Sequence, residues 1–179
     1  MNNQTEFSLA ESDVLLRRTP AVLDAWLRDL PDEWQHANEG PDTFSAFAVV
    51  GHLIYGERTD WIGRARHIIE QRDGAFVPFD RFGHQTEFTG RPMGELLDTF
   101  ADLRESNLGQ LTAFELTEDQ LGAHGTHPSF GPVSLRQLLS TWVVHDQGHI
   151  AQIARVLAKR YSDQVGPWRE YLPILTDRT

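Results

Sequence analysis

Residues 135–161 read LRQLLSTWVVHDQGHIAQIARVLAKRY. The stretch holds no proline, and Gly148 is its one glycine. Leu135, Leu138, Leu139, Trp142, His145, His149, Ile153 and Val156 recur at three- and four-residue steps, which is one face of a long amphipathic helix. Ser134 stands before it as the N-cap. A helix face turned to a core is apolar as a rule, yet two of these positions are histidines. His145 and His149 are four apart, so their imidazoles leave the same face about one turn from each other. With that spacing a helix can offer two nitrogens to one metal ion. The glutamate of a zinc-protease HExxH helix is absent, because Asp146 and Gln147 follow the first histidine. Protease chemistry therefore does not follow from the pair.

The rest of the chain supplies partners for this helix. Leu96, Leu97, Phe100, Leu103, Leu108, Leu111 and Phe114 predict a helix over 92–116, and Ser45 is a plausible cap for another running to about 71. Phe44, Phe47, Ala48, Gly51, His52, Tyr55, Ile62, Ala65 and Ile69 mark the inner side of that second helix. Gly51 and Gly56 cost helix stability relative to Ala. They flank His52 and would let another helix or a ligand approach the backbone. Near the N-terminus, Ser8-Leu9-Ala10-Glu11 has capping-box spacing. Leu9, Leu15, Leu16, Val22, Leu23, Trp26, Leu27 and Leu30 continue as a helical stripe until Pro31. Thr19-Pro20 interrupts it, predicting either two abutting helices or one kinked helix. Residues 72–91 and 117–132 read as irregular segments, the first long enough to cover something. After Gly166-Pro167 the tail WREYLPIL has anchors with which to dock on the bundle. The expectation is an all-α four-helix bundle with long connecting loops and a short C-terminal helical segment, forming a single domain over 1–179.

Composition narrows the function. The net charge is −10, no basic run is visible, and nucleic acid and anionic membrane surfaces are thereby disfavoured as partners. There is no cysteine, hence no disulfide, thiolate ligand or cysteine nucleophile. No window approaches a membrane span and the first residues do not resemble a signal peptide, so a cytoplasmic location is expected, and a small-molecule substrate goes with the enzyme reading below. Any metal would be held by His, Asp, Glu and water.

His52 lies on the inner face of the second helix, and His145 and His149 on that of the fourth. If those helices are neighbours, the three imidazoles converge. Three histidines and an open position suit zinc, nickel or another late first-row divalent ion. The open position would hold water, activated by the ion. Asp146, Glu57, Tyr55 and Gln152 are candidates to orient the far ring nitrogens. The competing account is a set of satisfied core histidines, since HxxxH by itself is a weak signal. His36, His67 and His84 read as surface residues. His124 and His127 read as loop residues, one of which could reach the mouth of a cavity. Trp26, Trp61 and Trp142 read as core, and Glu57-Arg58 with Asp60 as a solvated, ion-paired face.

The segments VVGHLIYGERTDWIGRAR (49–66), GTHPSFGPVSLRQLLSTWVVHDQGHIAQIARVLAKRY (125–161) and VGPWREYL (165–172), with the Thr-Pro break at 19–20, resemble the DinB-like family of bacterial four-helix-bundle proteins. The resemblance implies a divalent metal on His52, His145 and His149, the triad that spacing also suggests. It implies a homodimer as well. Gln147-Gly148 departs from the bulkier residues frequent between the paired histidines, and a glycine there could loosen the helix. The wider superfamily includes S-transferases that use low-molecular-weight thiols, and members labelled metal-dependent hydrolases. A thiol S-transferase in detoxification or stress response is thus the first expectation, with a metal-bound thiolate as the reacting group. A hydrolase using a metal-bound water, or a metal- or ligand-binding protein without turnover, is the alternative.

Overall fold

A computed structural model of the chain describes residues 6–176. Its helices are α1 (Leu9–Leu27), α2 (Asp32–Gln35), α3 (Ala46–Thr59), α4 (Trp61–Ile69), α5 (Met93–Ala113), α6 (Glu118–Gly122) and α7 (Leu135–Lys159). A two-stranded hairpin, β1 (His124–His127) with β2 (Gly131–Ser134), precedes α7, and two short 3₁₀ turns close the chain. The helix α1 packs on α5 and α7, and α3 packs on the same two. The four long helices thus form a ring in which α3, carrying His52, is a direct neighbour of α7, carrying the histidine pair.

The caps fall where expected. Ser8, Ser45 and Ser134 accept hydrogen bonds from the backbone three residues on, and Gln137 completes a capping box with Ser134. Pro20 does not split the first helix. It lacks the N–H that would reach the Leu16 carbonyl, and Arg104 Nη1 of α5 donates to that oxygen instead, at 2.8 Å. The second expected helix is divided, because the turn at Asp60 separates α3 from α4. The segment expected to be irregular before α7 contains the hairpin, whose β1 also pairs with Ala75 of the 72–91 loop. Gly125 permits that packing, since a Cβ there would lie 2.6 Å from the Phe76 ring. The tail docks through Leu175, which is buried, while its aromatic residues Trp168 and Tyr171 stay exposed.

The apolar core comes in two parts. One gathers Leu23, Val50, Ile54, Leu96, Phe100 and Ile153 among others. The second gathers Leu16, Trp61, Ile68, Leu108, Leu139 and Trp142. Between them, along α3, α5 and α7, lies a buried polar layer of Glu57, Arg104, Asn107 and Asp146. Arg104 gives Nε and Nη2 to Glu57 Oε1, and Nη1 and Nη2 to the two Asp146 oxygens, at 2.6–3.2 Å. Asn107 Nδ2 donates to Glu57 Oε2 and Trp142 Nε1 donates to Oε1. Each guanidinium nitrogen is used, so the layer joins α1, α3, α5 and α7 through one side chain. Glu57 is therefore no part of a solvated face. Asp60 is likewise buried, against Arg64. Trp61 and Trp142 are core as expected, but Trp26 is 39% exposed.

Candidate metal centre

Beside the polar layer, α3 and α7 bring His52, His145 and His149 together. The Nε2 atoms of His52 and His145 are 3.3 Å apart, and those of His145 and His149 are 3.1 Å apart. One nitrogen from each ring lies within 4.8 Å of the others. Nitrogens bound at 2.0–2.1 Å to a tetrahedral ion are about 3.3 Å from one another, so the spacing fits a shared divalent cation. The fit is chemical as well. Burial, then the neighbouring His149, pushes His52 down to about 3. Burial and the charges of His149 and His52 bring His145 to about 3. Burial also lowers His149, against the hydrogen bond it donates to Gln152 and the nearby Asp146. All three rings are then neutral at neutral pH and carry lone pairs.

Hydrogen bonding within the chain does not exhaust them. His149 Nδ1 meets Gln152 Oε1 at 3.0 Å, which puts its proton on Nδ1 and leaves Nε2 bare. A single proton on His145 Nε2 serves one of its two close contacts well. The Nδ1 atoms of His52 and His145 are buried with no partner at hydrogen-bond distance among the described residues, although the Arg81 backbone is close enough to His52 to raise its pKa against the burial. Gln152 is thus the orienting residue, one of four expected candidates. Asp146 and Glu57 are committed to Arg104, and Tyr55 packs on Phe79 at 5.4 Å. Gly148 meets nothing, and α7 runs through it unbroken.

The cluster forms the floor of a cleft of about 470 Å³. Phe44, Phe76, Phe79, Phe130, Trp61, Val133 and Leu138 make its apolar walls, with Asp60, Arg64, Arg81, His127, Gln137, Thr141 and Gln152 between them. Trp61 stacks on Trp142 at 5.6 Å and turns its edge to His145 at 5.2 Å. Burial pushes the Asp60 carboxyl up to about 6 against the pull of Arg64. Arg81 lies over the rings of Phe44 and Phe82 at 5.5 and 5.7 Å.

The loop over 72–91 does cover something: it supplies Phe76, Phe79 and Arg81 to the cleft. It also buries His84, which was expected on the surface and is 2% exposed. Its ring stands 5.4 Å from that of His52 and packs on Gly51, where a Cβ would lie 3.2 Å from His84 and 3.0 Å from Phe88. The close approach at Gly51 therefore comes from this loop rather than from a helix. His67 is half-buried with its edge on Phe76, and His36 is exposed as expected. Of the two hairpin histidines, His124 is exposed and outside the cleft, while His127 lines it. The available signal for the loop was its four phenylalanines, 76, 79, 82 and 88, in an otherwise polar segment.

Comparison with known proteins agrees with this architecture. The sequence profile of the DinB superfamily matches residues 15–153. The chain belongs to the DinB superfamily. It superposes on YfiT from Bacillus subtilis, described as a probable metal-dependent hydrolase with an unusual four-helix bundle topology. The TM-score is 0.74 over 93% of this chain and 94% of that one, at 19% identity. At that identity the likeness establishes the four-helix-bundle fold. No curated protein matches the chain.

Proposed function

We propose that this DinB-superfamily protein is a metal-dependent enzyme whose divalent ion is held by His52, His145 and His149. The observation that carries the proposal is the convergence of three neutral imidazole nitrogens on the floor of a mostly apolar cleft. Zinc and nickel both suit an all-imidazole set. An ion held there supplies Lewis acidity, lowering the pKa of a thiol or water that joins it.

The chain's own residues divide the remaining work. Gln152 fixes the tautomer of His149. The aromatic walls exclude water from the reacting groups and bind an apolar body. The cleft holds no cysteine or serine, and its one hydroxyl, Thr141 Oγ1, donates to the Gln137 carbonyl. With no thiol or free hydroxyl of its own in the cleft, we assign the nucleophile to a low-molecular-weight thiol transferred to an apolar electrophile. In that reaction the S–C bond forms as the bond to the leaving group breaks. The leaving group departs with the electron pair, and the thiol proton passes to solvent. Arg81 favours this choice for those thiols that carry free carboxylates, because it has ring faces but no carboxylate partner among the described residues. Hydrolysis is the second reading. The description of YfiT favours it, as does Asp60, a carboxyl of raised pKa in the same cleft that could take a proton from water.

The test begins with the metal content of untagged protein prepared without chelator, beside His52→Ala and His149→Ala. One late divalent ion per chain, lost in both variants, is expected. Turnover assays with and without added thiol then separate the two reactions, since a transferase consumes thiol stoichiometrically. An absence of bound metal, and of uptake when zinc or nickel is supplied, overturns the proposal.

A further inference from the structure

The hairpin turn fixes the tautomer of a histidine that the metal centre does not use. His127 Nδ1 accepts the backbone N–H groups of Ser129 and Phe130, at 3.1 and 3.3 Å. Nδ1 is therefore unprotonated, and the ring proton sits on Nε2. The ring is held in place by Phe130, stacked at 4.4 Å and 16°, and by the edge of Phe76 at 6.5 Å. Nε2 lies on the opposite side of the ring from the turn and has no hydrogen-bond partner among the described residues. Burial and the nearby Arg64 lower the pKa of His127, so the imidazole is neutral, one N–H donor on the cleft wall. Of the two guanidiniums that line the same cleft, Arg64 is paired with the Asp60 carboxylate, while Arg81 has no carboxylate partner among the described residues, which leaves the cleft net positive.

We propose that His127 Nε2–H, in a cleft of net positive charge, forms an oxyanion subsite, and that the ligand class is an aromatic or otherwise apolar carboxylate. The proposal rests on the cleft being the substrate site. Apolar walls alone would take neutral compounds equally well. A fixed donor in a positive field rewards a carboxylate and leaves a neutral isostere without that gain. His127 acts here as a specificity residue, not as a proton carrier.

The probes are 2-naphthoate and its neutral analogue 2-naphthamide, titrated calorimetrically into the protein as purified and again after chelator treatment. Naphthoate is expected to bind at least about ten-fold tighter than naphthamide in both preparations. His127→Asn keeps an acceptor for the turn in place of Nδ1 but has no group at the Nε2 position. It should lose most of the ten-fold preference while Tm and naphthamide affinity hold. His127→Gln, whose amide N–H reaches nearer that position, should recover part of it. Equal affinity for the two probes, no binding of either, or an unchanged preference in His127→Asn overturns the proposal. So does a fall in Tm matching the loss of affinity, which assigns His127 to the turn alone. A preference that vanishes with the chelator places the carboxylate on the ion instead of His127. A preference that persists in protein without metal leaves this subsite standing while the metal proposal fails.

Discussion

The molecule holds two buried polar clusters on the same pair of helices, and they are built to opposite rules. The Arg104 layer uses every guanidinium nitrogen and returns each one a carboxylate or carbonyl oxygen. The histidine cluster, one turn away on α3 and adjacent on α7, leaves two Nδ1 atoms without partners and turns three Nε2 atoms on each other. A closed network joins helices. An open one has capacity left for something from outside the chain. The contrast also explains a division of labour: Asp146, adjacent to His145 in sequence, and Glu57, further along α3 than His52, both spend their oxygens on Arg104, which bridges α3 and α7.

The sharpest way to break this contrast is to remove one member of each cluster. Arg104→Ala leaves two buried carboxylates uncompensated and should cost about 3–5 kcal/mol in urea unfolding. His52→Ala opens a cavity but also deletes a ring with an unsatisfied nitrogen, so metal-free protein should lose less, about 1–2 kcal/mol. Its effect should appear as loss of metal binding. Equal stability losses in the two variants would make the histidines a structural network like the other. The milder change Gln152→Ala, which frees the far nitrogen of His149, should weaken metal binding by about 10–100-fold in a competition titration.

Much of this was legible in the sequence, and the reasons are specific. His145 and His149 stand out because the helical period calls for apolar residues where they occur. His52 stands out because glycine at 51 and 56 is costly inside a helix. Arg104 and Asn107 obey no such rule: they sit in an otherwise Leu-rich stripe of α5, and only the partners on α3 and α7 show that both are buried. Glu57 and Asp60 looked solvated because charged residues usually are. Their burial depends on helices far away in the chain. His84 was missed because a polar loop gives no period from which to read an inward face.

Asp60 tests how far the cleft itself is desolvated. Its carboxyl is raised from 3.8 to about 6, so the folded protein keeps a proton that the unfolded chain releases. The sign follows: stability should fall as pH rises from about 4 to about 6 and level off above, by at most about 3 kcal/mol. Asp60→Asn should remove that component of the pH profile. Unfolding curves for both proteins across this range check it, and parallel profiles would mean that Arg64 fully compensates the charge.

The smallest expected effect concerns the loop that roofs the histidines. Gly51→Ala gains about 1 kcal/mol of helix propensity. Against that, the new methyl would stand 3.0 Å from Phe88 and 3.2 Å from His84, both almost fully buried. Neither ring can retreat without moving the loop, and overpacking of this kind costs about 1–3 kcal/mol. The net expectation is a loss of about 1 kcal/mol, within the span of those two magnitudes. Metal affinity should stay unchanged, because Arg104 bonds to both α3 and α7 independently of the loop. Thermal unfolding together with a metal competition titration reads both quantities. A gain in stability would mean that the loop rests loosely on α3. Weakened metal binding would mean that the roof, as well as the polar layer, holds the histidines in register.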